Sequence, residues 1–402
     1  MDVSGHYRRH QLLFFHKKGK FFMTVSVWQA DDTQPIVDVD FLVVGAGLVG
    51  CTAAYFATQA GRKVTITEMI DAGMGASSRN AGFMITGLDC YYNEGIDRFG
   101  HAIAKEIWDL SLHTHQIWRD FAKHGDVPIV TCGSMLLAES EAEAEDVRKS
   151  AQALQADGIE VIFHEQDPLK RGYFSAIEQP WDGAVHPYAL VQSILKQSGA
   201  DFINTNEIYK IEQLAPQKVM VYTRKYRFIA KKVLLCTNAY SPRIHPYFVG
   251  KVIPTRAQVL VTEPLATAPL MTCGYSDYGY MYYRTTFDNR LLIGGGRKQN
   301  KPAENDTIED KITDAVQAIL DDYLKTRFPD VTAPVSRRWS GIMGFTEDGL
   351  PLVGTIPDMP DVGFAIGFTG HGLALGGGTA QRAVNLLLNG EDAGAVSANR
   401  LG

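Results

Sequence analysis

The stretch Gly45-Ala46-Gly47-Leu48-Val49-Gly50 constrains this chain more than any other. It closes the apolar run Phe41–Val44 and precedes Cys51–Ala60, which reads as a helix. Gly45 permits a tight turn, Gly47 lets the backbone approach a pyrophosphate, and Gly50 lets helix and strand pack closely. Ala46, Leu48 and Val49 complete a loop whose N–H groups and positive helix end suit phosphates. Gly61 fits the residue after a helix, and Lys63–Thr67 alternates like a strand. Glu68 follows, 18 residues beyond Gly50, where an acid can accept hydrogen bonds from a ribose. The reading is a βαβ dinucleotide site; the motif alone does not separate FAD from NAD.

Further along, helical spacing covers Arg98–Lys123, Glu141–Ala156, Ala189–Gln197, Ile308–Arg327 and Leu373–Leu388. Strand-like runs fall at Asp201–Ile203, Val219–Thr223, Val233–Cys236, Val252–Thr262, Tyr278–Thr285 and Arg290–Gly294. Strands alternating with helices, then runs of strands, give a mixed α/β (α+β) fold, and 402 residues suffice for two or three domains. A formal charge of −6 argues against broad nucleic-acid binding. The five cysteines form no CxxC pair, which reads as reduced thiols in a cytoplasmic protein. No run reaches the roughly 20 apolar residues that span a bilayer. Arg8, Arg9, Lys17, Lys18 and Lys20 before Phe21–Trp28 superficially resemble a signal peptide, but Thr24, Ser26 and Trp28 spoil it. Residues 1–35 are therefore expected to be a disordered leader, with a start upstream of Met23.

Beyond the second strand lies a small-residue turn, Gly75-Ala76-Ser77-Ser78-Arg79-Asn80-Ala81-Gly82. Toward the C-terminus come Trp339-Ser340-Gly341, Thr346–Pro351 and Gly367-Phe368-Thr369-Gly370-His371-Gly372, the last opening a helix whose N-terminus can stabilise negative charge. With the Cys236–Ser241 and Asn289–Gly296 blocks, these motifs, in this order from about Asp40 to Glu391, resemble the D-amino-acid oxidase/glycine oxidase superfamily of flavoenzymes. Arg79-Asn80 and Gly370–Gly372 look most like its γ-glutamylputrescine oxidase branch. The resemblance implies FAD held between two discontinuous domains. A Rossmann-like FAD-binding domain would comprise 36–88, 182–250 and 337–398, and a mixed-β-sheet substrate domain 89–181 and 251–336. It also implies that Gly45, Gly47, Gly50 and Glu68 hold the ADP half, Ile208 meets adenine, and Thr237 lies near the pyrophosphate. Ser77, Arg79, Asn80, Gly82, Gly341, Gly370, Gly372 and Leu373 would lie along the cofactor.

On the substrate side, strand alternation puts Tyr280, Tyr282 and Arg284 on one face. Tyr282 stands eight residues before Arg290, the spacing of the substrate-site tyrosine in glycine oxidases. The family's two carboxylate-binding arginines fall at Met343 and His371 here, which favours an amine or N-substituted amino acid over a simple α-amino acid. Arg284 remains available for a remote carboxylate. No cysteine occurs in 336–402 to attach FAD as in sarcosine oxidases, so the cofactor is expected to be non-covalent. Leu292 replaces that branch's lysine, which leaves O2 or an electron carrier as acceptor. His113, His115, His186 and His245 read as structural. Gly376-Gly377-Gly378 is expected to pack against cofactor or sheet. The chemistry implied is oxidation of a C–N bond, with Tyr282, Arg284 and His371 as catalytic candidates and Tyr280 and Met343 lining the pocket. Rival readings are a hydroxy-acid or glycerol-3-phosphate type dehydrogenase on the same fold, a flavoprotein acting on a protein partner, and an NAD-only enzyme.

Overall fold

Two eight-stranded sheets carry the chain, and the computed structural model describes residues 12–15, 20–23 and 34–401. The first sheet grows from Ile36–Val44, whose last four residues are fully buried. Val64–Thr67 and Arg227–Leu235 flank this strand, both parallel to it. Asp201–Ile203 extends one edge in parallel, and Met359–Ile366 runs parallel to Arg227–Leu235. Parallel neighbours need crossovers, and helix Leu48–Gln59 supplies the first one. An antiparallel meander, Ile208–Ala215 and Lys218–Thr223, closes the other edge.

The second sheet orders Val335–Phe345, Ile253–Thr262, Leu291–Gly295, Met281–Thr285, Cys273–Ser276, Ser134–Leu137, Ala176–Gln179 and Ile162–His164. Its long central pairing matches Thr255 with Met343 and Ala257 with Gly341. Val335–Phe345 thus belongs to the second sheet, so the boundary expected at 337 falls inside a strand. The crossing back to the first sheet comes after Phe345. Of the expected leader, Leu12–Phe15 pairs antiparallel with Lys20–Met23, while 1–11, 16–19 and 24–33 lie outside the described residues. Among the described residues, no helix is long and apolar enough to cross a membrane.

Several local expectations need correction. The helix expected over Arg98–Lys123 is two, Tyr92–Phe99 and His101–Gly125, because Gly100 adopts φ +82°. Helix Ile308–Arg327 begins only at Asp314. Tertiary bonds hold the missing turn extended: Ser340 Oγ donates to Asp310, Arg256 donates to the Glu309 carbonyl, and Thr313 N–H donates to Gln258. The strand expected from Tyr278 starts at Met281, since Asp277 and Tyr278 turn the chain with φ of 51° and 53°. Of Gly376–Gly378, only Gly376 meets the expected cofactor side, where a Cβ would lie 3.3 Å from Val49 of the glycine turn, while the other two pack on helix His101–Gly125. A Cβ at Gly378 would sit 2.4 Å from Leu110, and Gly377 faces Ile117 and Thr114. His186 and His245 cap helical turns, accepting from Ala189 and Tyr247 N–H. His115 is fully buried, and that burial pushes its imidazole down to about 3.

Candidate active site

The glycine turn stands at the mouth of a cavity of about 1370 Å³, larger than the roughly 300–1,000 Å³ typical of small-ligand pockets. Each glycine has a geometric reason. Gly45 adopts φ +106°, with the Cys236 carbonyl oxygen 2.7 Å from where its Cβ would be. A Cβ on Gly50 would lie 1.8 Å from the Gly45 carbonyl oxygen. Gly47 is the extended N-cap of helix Leu48–Gln59, and a Cβ there would reach the Ser77 hydroxyl at 2.7 Å. Ala46 N–H donates to Glu68 and Leu48 N–H to Ser77, whereas Gly47 and Val49 N–H find no acceptor among the described residues. Unfilled N–H groups at a helix start are what a pyrophosphate needs. Glu68 is fixed at the strand end, receiving Ile70 N–H as well.

The turn Gly75–Gly82 is held against the second sheet. Asn80 donates to the Ala76 and Ser77 carbonyls and accepts from Gly82 N–H. Arg79 reaches across to the Ser340 carbonyl and pairs with Asp310 at 2.6 Å. Trp339 returns a bond to the Arg79 carbonyl. Asn238 holds Gly367 N–H, which aims the Gly370–Leu373 turn into the cavity.

Aromatic rings form the opposite wall. Tyr282 stacks on Tyr275 with centroids 5.7 Å apart, and Phe83 sets its edge toward Tyr282 at 5.9 Å. Gly294 makes room, since a Cβ there would lie 2.1 Å from the Tyr282 ring. Burial pushes the Tyr282 phenol up to about 12, so it remains a protonated donor at neutral pH. His371 Nδ1 lies 3.4 Å from Asp89 Oδ1. The Asp89 side chain keeps 38 % of its surface open, toward the cavity it lines. Enclosure raises its carboxyl above the usual carboxylate range, against lowering by His371, Arg297 and Arg98.

The structure brings Gly45, Gly47, Leu48, Val49, Glu68, Ser77, Arg79, Asn80, Ile208, Thr237, Tyr280, Tyr282, Gly341, Met343, Gly370, His371, Gly372 and Leu373 to the lining of one cavity. Ala46, Gly50 and Gly82 stand behind it, shaping the turns. Arg284 is a correction: it is 4 % exposed, donates to the Gly82 carbonyl and lies off the cavity lining, so it cannot receive a remote carboxylate. Sequence reasoning missed Phe83, Asp89, Tyr275, Arg297, Asp310 and Phe345 on the wall. Only Tyr275 carried a signal, an aromatic residue in a short run after Cys273.

With this geometry in hand, comparisons with known proteins agree with one another. The model of the FAD dependent oxidoreductase family DAO matches residues 40–386. The probable oxidoreductase OrdL of Haemophilus influenzae is 27% identical over 89% of this chain and 84% of its own. Gamma-glutamylputrescine oxidoreductase of Escherichia coli is 25% identical over 85% of this chain and 82% of its own. The crystal structure of glycine oxidase from Geobacillus kaustophilus superposes with a TM-score of 0.76 at 20% identity, over 90% of this chain and 98% of that one.

Proposed function

Since the chain belongs to the DAO family of FAD-dependent oxidoreductases, we propose that it oxidises the C–N bond of an amine or N-substituted amino acid. The observation that carries this reading is Asp89, a carboxylate facing an aromatic-walled cavity beside His371, with Met343 on the wall in place of an arginine. A carboxylate in such a wall attracts an N–H or ammonium and repels the α-carboxylate of a simple amino acid. The name of the Escherichia coli relative points to a nitrogen-bearing substrate as well.

Bound FAD supplies the acceptor for the hydrogen and electron pair leaving the substrate carbon. Asp89 accepts an N–H of the substrate and sets the nitrogen. Tyr275, Tyr282 and Phe83 exclude water from the carbon beside it. The C–H bond next to nitrogen breaks, C=N forms, and water later adds to that carbon to release an aldehyde or ketone and the free amine. Incubation with amines should yield carbonyl product and liberated amine in equal amounts, seen by mass spectrometry. Ketone formation from a hydroxy acid or glycerol 3-phosphate, with none from any amine, would contradict the reading.

The lack of cysteine after Cys273 supports non-covalent attachment. Acid precipitation should leave all the flavin in the supernatant; colour kept in the pellet would overturn this. His371→Ala should keep FAD occupancy and slow anaerobic flavin reduction about tenfold, or about 1.4 kcal/mol in the barrier. An unchanged rate with the best amine across pH 6 to 9 would make His371 a capping residue only.

A further inference from the structure

Arg297 follows Gly295 and Gly296, whose φ angles of 121° and 72° turn the chain out of strand Leu291–Gly295 and toward the cavity. Its guanidinium lies 4.8 Å from the Tyr280 ring centroid and 4.6 Å from that of Phe345. Two rings flanking a planar cation fix its plane while leaving its N–H groups unused. Among the described residues, no carboxylate pairs with Arg297 and no carbonyl accepts from its side chain, although it is half-buried. Arginines elsewhere in the chain, such as Arg256 and Arg338, are met by carboxylates. Lys301 adds positive charge at the same spot, 4.7 Å from the Tyr280 ring, while neighbouring Lys298 is paired with Asp277.

The cavity lining therefore carries both Asp89, beside His371, and an oriented guanidinium that is not ion-paired to it. Arg297 and His371 both stabilise the Asp89 carboxylate, yet no ion pair joins Asp89 to Arg297 directly. Resting on the C–N reading, we propose that Arg297 anchors a carboxylate at the far end of the substrate, which makes the substrate class an amine carrying a remote carboxylate. An oriented guanidinium fork suits a carboxylate or a phosphate. Asp89 favours the former, because a zwitterionic chain balances both charges whereas a phosphate dianion is repelled. The remote carboxylate for which Arg284 stood available in the sequence falls instead to a residue just past the next strand.

The test compares 6-aminohexanoate with hexylamine in anaerobic reduction of the holoenzyme's flavin, with glutarate and inorganic phosphate titrated separately against flavin absorbance. Arg297→Met should raise the apparent Kd for 6-aminohexanoate and for glutarate by about 30-fold, within the range of lost charge-assisted bonds, and leave hexylamine within about twofold. Arg297→Lys, which keeps charge without the fork, should lose less and guards against a misfolded first variant. An equal loss on both amines, unchanged glutarate binding in the variants, or phosphate binding tighter than glutarate would overturn the proposal. Reduction by neither amine in the wild type, with glutarate still bound through Arg297, would instead sink the C–N reading and leave the anion site standing.

Discussion

Gly47→Val is expected to give a folded protein that has lost FAD affinity by about 100-fold or more, equivalent to two charge-assisted hydrogen bonds. The position separates binding from folding. Gly47 adopts φ −81° and ψ −174°, an extended conformation open to valine. Gly45 and Gly50 differ: one needs positive φ, and a side chain on the other would strike the Gly45 carbonyl, so substitution there breaks the turn itself. Among the described residues, the side chain that a Cβ on Gly47 would meet is that of Ser77, its hydroxyl at 2.7 Å. The valine would fill the space in front of the Gly47 and Val49 N–H groups, where a pyrophosphate must approach. Flavin fluorescence released on ultrafiltration, beside an unchanged circular dichroism spectrum, reads both effects. Full FAD occupancy in a folded variant would show that the cofactor lies elsewhere.

Glu304→Ala should cost about 3–5 kcal/mol, the range for breaking a buried ion pair. Arg256 and Glu304 are 2 % and 1 % exposed and paired at 2.7 Å. Glu304 also accepts from Gln258 and Thr313. Enclosure pushes its carboxyl up, but these partners more than offset it and hold it below the usual carboxylate range. A depressed folded-state value means this stabilisation is present at neutral pH and fades as pH falls below the ordinary glutamate range. The same bonds pin segment 305–313, which carries Asp306, Ile308 and Asp310 to the cavity wall. Denaturant unfolding monitored by tryptophan fluorescence measures the loss. The double variant Arg256→Met/Glu304→Met should recover part of it, because no charge is left buried alone. A single variant within about 1 kcal/mol of wild type would refute the pair's structural weight.

What could be read from the sequence were the places where backbone geometry admits few residues. The Gly45–Gly50 turn, the Gly75–Gly82 turn and the Gly370–Leu373 helix start all reach the cavity wall or stand just behind it. Tyr282 was legible through alternation against a known spacing. Arg284 obeyed the same alternation, yet one step further along the strand its side chain runs under the Gly82 carbonyl instead of into the cavity. Alternation gives a face and not a depth. Asp89 and Arg297 sit in irregular segments with no period to betray them, and their roles arise from rings and charges brought in by distant strands. The extended stretch before Asp314 was hidden for a related reason, since side-chain bonds to Arg79, Arg256 and Gln258 overrode a helical pattern.

The proposed oxidation of a C–N bond is read out by anaerobic mixing of the holoenzyme with a substrate panel. Loss of the visible flavin absorbance should occur with amines bearing a remote carboxylate and with N-substituted amino acids, and be slower with glycine and D-alanine. Fastest bleaching by glycine or D-alanine, or bleaching by glycerol 3-phosphate or a hydroxy acid with none by any amine, would rule that function out.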